Sequence, residues 1–222
     1  MNSIGQILRL TTFGESHGAA IGGILDGFPT GITIDMDFVQ QELNKRRPGQ
    51  SAVTTGRQET DKVEFLSGIM EGISTGTPIA FIVRNADHHS SDYDNLKDLF
   101  RPSHADFTYQ QKYGLRDYRG GGRSSARTLL PCVVAGCLAK QILSLQNIAI
   151  KSFVTQIGED RSDAFSNEEI QDILQKIKER CDTVGAVVRV EVDNVPAGIG
   201  EPYFRKLQAV LAQAMFSINA VK

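Results

Sequence analysis

Three consecutive glycines, Gly120, Gly121 and Gly122, stand between Arg119 and Arg123 and lead directly into Ser124-Ser125 and an apolar run. A glycine triplet is unfavourable inside a helix or strand, because ordering glycine costs the most backbone entropy. The chain must turn here, and Ser124 or Ser125 is placed to cap a helix predicted to reach about Leu145. Pro131 falls within that helix and predicts either a kink or a late start; in a helix interior it would cost about 3 kcal/mol.

The elements around this turn are mixed. Upstream, Ile4–Thr12, Ala20–Leu25 and Ile32–Ile34 read as strands, the last two separated by the turn Asp26-Gly27-Phe28-Pro29. Asp35 is an N-cap candidate, and Met36, Val39 and Leu43 recur at helical spacing until Pro48 stops the helix. Val63–Leu66 and Ile79–Val83 are further strands. From Asn85 to Gly122 the chain is polar and irregular, which in a compact domain marks a functional or disordered segment. Downstream, Ile148–Ile157 and Val184–Val192 read as strands, with a turn from Asn194 to Pro202. Ser166-Asn167-Glu168-Glu169 is a capping box opening a helix through Lys178, and Tyr203–Met215 is a last amphipathic helix. No repeat, low-complexity tract or linker divides the chain, so residues 1–222 are expected to form one domain. Strands and helices without strict alternation predict an α+β fold.

Composition narrows the function classes. The chain is 41% hydrophobic and 23% charged, ordinary for a globular protein, and no stretch approaches the roughly 20 apolar residues of a membrane span. Met1-Asn2-Ser3-Ile4-Gly5 lacks an export signal. Cys132, Cys137 and Cys181 are odd in number and lack metal-ligand spacing; Cys132 and Cys137 are expected as buried free thiols in a reducing cytoplasm. A net charge of −2 argues against bulk binding to nucleic acid or membrane. Between Arg101 and Arg127, however, six basic residues face two acidic ones, which leaves that segment at +4 and the rest of the chain at −6. Such a patch suits a compact anionic ligand or a solvated surface face.

Five groups of residues carry the chemistry. Gly14-Glu15-Ser16-His17-Gly18 follows a strand and brackets proton-transferring side chains with glycines; His17 is a general acid or base candidate, or a turn histidine. Arg101-Pro102-Ser103-His104-Ala105-Asp106 sets a second histidine in a cationic loop, where an imidazolium could protonate a departing phosphate beside Arg101, or simply brace the loop. Arg119 to Arg127 joins a helix N-terminus, two hydroxyls and three guanidinium forks, a set that binds anions but lacks the lysine-hydroxyl ending of a nucleotide-hydrolysing loop. Lys45-Arg46-Arg47 ends the first helix, as an anion site or as partners of the helix dipole. His88 and His89 read as loop residues without further metal ligands, so no metal is expected.

In combination these pieces resemble chorismate synthases. Ile7-Leu8-Arg9-Leu10-Thr11-Thr12-Phe13-Gly14-Glu15-Ser16-His17-Gly18 followed by Asp26-Gly27 is similar to the opening of that family. Arg46-Arg47-Pro48-Gly49, Arg101–Asp106, Tyr113–Asp117 and Arg119–Arg127 follow in the family's order. Asp182–Gly185, Gly198–Pro202 and Ser217-Ile218-Asn219-Ala220-Val221-Lys222 extend the likeness to the last residue. The resemblance implies a β-α-β sandwich, a cytoplasmic homotetramer, and 1,4-elimination of phosphate from 5-enolpyruvylshikimate 3-phosphate to give chorismate, with reduced FMN and no net redox change. It assigns proton transfer to His17 and His104, substrate anions to Arg46, Arg47, Arg101 and Arg127, and FMN to Arg123, Ser124, Ser125, Asn219 and Ala220. Arg46 also matches a position linked to NADPH as flavin reductant.

Three departures accompany it. The family continues past the position of Lys222 into further flavin-binding segments, so the resemblance implies a C-terminally truncated chain, active or a non-catalytic flavin- or anion-binding remnant. Thr128 and Cys132 replace a usual Glu–Arg pair around Pro131, at an expected cost of several kcal/mol. The stretch from Gly158 to Lys178 is short for the family, and Cys181 replaces a glycine.

Overall fold

The computed structural model describes residues 2–47, 59–86, 93 and 95–222. Five strands build an antiparallel sheet in the order β1-β2-β3-β7-β4, from Ser3–Gly5 (β1), Arg9–Phe13 (β2), Ala20–Asp26 (β3), Val63–Phe65 (β4) and Ile79–Arg84 (β7). Ile69–Met70 (β5) and Ile73–Ser74 (β6) form a small hairpin beside it. A second antiparallel sheet runs β10-β8-β9, from Ala186–Asp193 (β10), Ala149–Ile157 (β8) and Asp160–Arg161 (β9), with a bulge between Val187 and Val188.

Helix α3 (Leu130–Ser144) packs on β2 and β3 of the first sheet and leads at its C-terminal end into β8 of the second, while α1 (Met36–Arg46) packs along it. Helices mixed with antiparallel sheets are the expected α+β fold, with the helices covering the first sheet and β10 of the second left exposed. Contrary to the expectation that no stretch approaches a membrane span, the helical run Ala126–Ser144 is 19 residues long and apolar enough by length and composition. Here its apolar side goes into the core: Leu130, Val134 and Leu138 are fully buried with Ile79, Phe81, Val83, Val39 and Leu43. Each such side chain contributes about 1.5–3 kcal/mol by leaving water. Asp35 caps α1 by accepting from Phe38 N, and Ser166 and Glu169 close the expected capping box on α4 (Asn167–Glu179).

Several expectations change. Ile4–Thr12 is two strands rather than one, because the chain folds back at Gly5, held at φ 93°, where a Cβ would meet the Leu8 carbonyl oxygen at 2.0 Å. Pro131 neither kinks nor breaks α3. Short 3-10 turns occupy Gly122–Ser124 and Ala126–Leu129, and Pro131 sits in the first helical turn, where its missing N–H is no loss. The expected proline penalty is absent for that reason. Thr128 accepts its non-family position by donating to the Ser125 and Arg123 carbonyls at 2.7 and 3.1 Å. Cys137 is buried, but Cys132 is exposed, on the face of α3 that borders an open cavity. The last helix, α5, starts at Leu207 rather than Tyr203, after a turn closed by a Glu201–Arg205 bridge. The polar segment after Asn85 contains a helix unmarked in the sequence, α2 (Asp106–Tyr113), stopped by left-handed Gly114.

Candidate active site

The turn that carries His17 leaves the end of β2 and is anchored from both sides. Ser16 is buried, its amide donating to the Gly122 carbonyl at 3.4 Å, and its hydroxyl lies 3.0 Å from His17 Nδ1. The imidazole stands edge-on to Tyr93, with ring centroids 4.9 Å apart. Its other wall is Gly120. That glycine has φ 60°, and a Cβ on it would fall 2.1 Å from His17 Nδ1. The first glycine of the triplet is thus required by the imidazole itself.

Arg101 ties the second histidine's loop to the same place. Its guanidinium stacks over Tyr93 at 6.0 Å and donates to the Gly120 carbonyl at 2.6 Å. A bidentate pair with Asp106, at 2.8 and 2.9 Å, holds the fork in plane, and Arg116 Nη1 lies 3.4 Å from the Oδ1 that Arg101 Nη2 also holds. Hydrogen bonding from Arg101 brings the Asp106 carboxyl down to about 2 against the opposing effect of burial, with the charges of Arg101 and Arg116 adding to it. His104, exposed, follows in a turn closed by its amide on the Arg101 carbonyl. Its Nδ1 lies 3.0 Å from the Pro102 carbonyl. A carbonyl only accepts, so Nδ1 carries hydrogen, and Nε2 is the nitrogen left to take or give a reacting proton.

The remaining arginines divide into two groups. Arg123 reaches back to the first strands, donating to the Gly14 carbonyl at 2.9 Å, Thr12 Oγ1 at 2.7 Å and Asn2 Oδ1 at 3.1 Å. Asn219 donates to the Ser124 carbonyl at 2.8 Å, and Ala220 beside it is left-handed at φ 67°. Arg123 and Asn219 border a cavity of about 560 Å³ walled by Leu8, Leu10, Ala135 and Gly136. Ser125 caps the following turn by accepting from the Arg127 amide. Arg123 and Asn219 therefore share one cavity, Asn219 is bonded to Ser124, and Ser125 and Ala220 follow them in the chain.

Arg46 is elsewhere. It pairs with fully buried Asp61 at 3.1 Å, and Arg127 takes the other oxygen of Asp61 at 2.9 Å, with Glu59 at 3.6 Å. Arg127 is itself buried, yet its Nη1 has no hydrogen-bond partner among the described residues. A buried donor without an acceptor is costly, and an anionic ligand would relieve it. Arg47 is exposed at the end of α1. His88, His89, Pro48 and Gly49 lie outside the described residues.

Sequence reasoning missed Tyr93, Asn85, Glu59 and Asp61. Only charge balance pointed to the last two: arginines in a buried cluster need carboxylates, and no spacing rule says which.

The family model described as chorismate synthase matches residues 8–222. A chorismate synthase of Phocaeicola vulgatus is 54% identical over all of this chain and 67% of its own length. That of Bacteroides thetaiotaomicron is 52% identical with the same coverage. A crystal structure of a chorismate synthase superimposes with a TM-score of 0.78 at 29% identity, over 98% of this chain and 67% of that one. This chain spans about two thirds of the length of these relatives.

Proposed function

The chain belongs to the chorismate synthase family, lyases of aromatic amino-acid biosynthesis in the shikimate pathway, and we propose that His17 and His104 are its proton-transferring pair. One observation carries this reading: His17 and Arg101 converge on Gly120, Tyr93 packs against both, and the His104 turn hangs from Arg101. A proton donor and a cation held next to it are what an anionic leaving group requires.

In the elimination of phosphate from 5-enolpyruvylshikimate 3-phosphate, Arg101 supplies fixed positive charge and His104 a proton through Nε2. Arg101 keeps its orientation because Asp106 and Tyr93 clamp it, so little reorganisation accompanies the reaction. Arg127, with its unsatisfied Nη1, Arg46 and exposed Arg47 complete a set able to hold the substrate's carboxylates.

The residues present fit reduced FMN. The cavity beside Arg123 and Asn219 lies within the roughly 300–1,000 Å³ of small-molecule sites and joins apolar walls to a few polar groups. Arg123, Ser124, Ser125, Asn219 and Ala220 would hold the flavin, which would supply the electronic chemistry of the elimination without net redox change. Arg46 does not border that cavity; its pairing with Asp61 favours a substrate role over contact with NADPH. The family supports a homotetramer, and three unpaired cysteines agree with a cytoplasmic location.

The test is an anaerobic assay of the 222-residue chain with pre-reduced FMN and 5-enolpyruvylshikimate 3-phosphate. Chorismate should form and fall by about 10²–10⁴-fold in His17→Ala and in His104→Ala. Flavin binding without turnover would identify a non-catalytic remnant, and no flavin binding would sink both readings.

A further inference from the structure

The turn that presents His17 is held from behind by a side chain with no role so far. Asn85 follows β7 and is 6% exposed. Its Nδ2 donates to the Gly18 carbonyl at 2.7 Å and the Glu15 carbonyl at 3.1 Å, so one amide nitrogen grips the backbone on both sides of His17. The Gly18 amide donates to the Glu15 carbonyl at 3.1 Å and closes the loop. On the other side, Asn85 Oδ1 accepts from Arg127 Nε at 2.7 Å. A guanidinium only donates and carbonyls only accept, so the amide has one satisfactory orientation.

Arg127 is in turn fixed. It lies against Asp61 and Glu59, Arg46 takes the second Asp61 oxygen, and Glu59 accepts from the Ala86 amide at 2.9 Å, next to Asn85. Asp61 is fully buried and left-handed at φ 46°, a strained conformation that persists because its ion pairs over-determine it. A buried chain of charge therefore runs from the end of α1 through Arg46, Asp61 and Arg127 to the Asn85 amide.

We propose that Asn85 is a positioning residue for His17: it sets the turn that aims the imidazole, and Arg127 acts through it. This rests on the reading of His17 as a proton-transferring group. A misplacement of about 1 Å costs on the order of 10²-fold in rate, which is the leverage such a clasp holds.

Asn85→Ala and Asn85→Asp test the proposal in the full chain. Aspartate keeps an oxygen for Arg127 but turns an acceptor toward the Glu15 and Gly18 carbonyls; alanine removes both sides of the clasp. In each variant the Gly18 amide should exchange hydrogen at least about tenfold faster, with the Val83 and Leu138 amides unchanged. The NMR titration of the His17 ring should shift from that of the parent. With reduced FMN, kcat should fall about 10–100-fold while KM stays within about twofold. An inactive parent chain would refute the functional reading, yet the exchange and titration would still decide this one. Unchanged Gly18 exchange and His17 titration, or a general loss of protection extending to Val83 and Leu138 in both variants, would overturn it.

Discussion

The two sheets of this molecule are built from similar residues and end in opposite states. In the first, Ile79, Phe81 and Val83 are wholly buried in one cluster with Val39 and Leu43 of α1 and Leu130, Val134 and Leu138 of α3. In the second, Val187, Val188, Val190 and Val192 of β10 are all 42% or more exposed, and α5 buries no residue among those described. Both strands are rich in β-branched residues, and the capping box of α4 is the better formed of the two side-chain caps. Local propensity is therefore equal or better in the second sheet; what it lacks is an opposing surface. Element formation is a local property, whereas burial belongs to the partner.

The largest contrast should come from cutting the same kind of side chain in each sheet. Phe81→Ala should lose about 3–5 kcal/mol in a urea melt, while Val190→Ala should lose under about 0.5 kcal/mol. Equal losses would mean that β10 is covered in solution.

Gly120→Ala attacks the site without touching either core. Its Cβ would meet His17 Nδ1 at 2.1 Å from a left-handed backbone, so the ring must move. Stability should fall by about 1–3 kcal/mol. Activity should fall by about 10²-fold, and unchanged turnover would dissociate His17 from the chemistry.

Acid should weaken the corner of the site that holds Arg101 and Asp106. Asp106 has its carboxyl pulled from 3.8 to about 2 by Arg101. A depressed carboxylate stabilises the fold above its unfolded pKa and loses that contribution as pH falls through the folded one. Protection of the α2 amides should therefore decline between about pH 4 and pH 2, and Asp106→Asn should abolish that dependence. A flat profile in the parent would show that the pair contributes nothing.

Ser166→Ala should have the smallest effect, about 1 kcal/mol, confined to α4. Loss of protection in α3 as well would show that the two regions fold as one unit.

Sequence patterns reached the elements whose signals are local: the Asp35 cap, the Ser166 box and the apolar period of α1 all lie within a few residues of what they control. They missed α2, where Ala105 offers no side-chain cap and Phe107 and Tyr113 are exposed, so Gly114 at its end stands without a start signal or an amphipathic stripe. At the site, His17, His104 and the Arg119–Arg127 run stand out by residue type and spacing. Asn85, Tyr93 and Asp61 do not, since their meaning comes from partners brought near only by the fold; Asn85 lies 67 residues from one of its acceptors and 42 from its donor.

Arg123 bonds to Gly14, Thr12 and Asn2 across sequence separations of 109 to 121 residues. During synthesis the first two strands must wait until more than half of the chain has emerged before the guanidinium that fastens them is available. Until then the His17 turn has no Gly120 wall and no Asn85–Arg127 clasp. Closing loops of that length is slow compared with forming the local helices and hairpins. The His17 turn is accordingly among the last parts of the molecule to take shape, and a nascent or refolding chain acquires secondary structure well before it acquires a site.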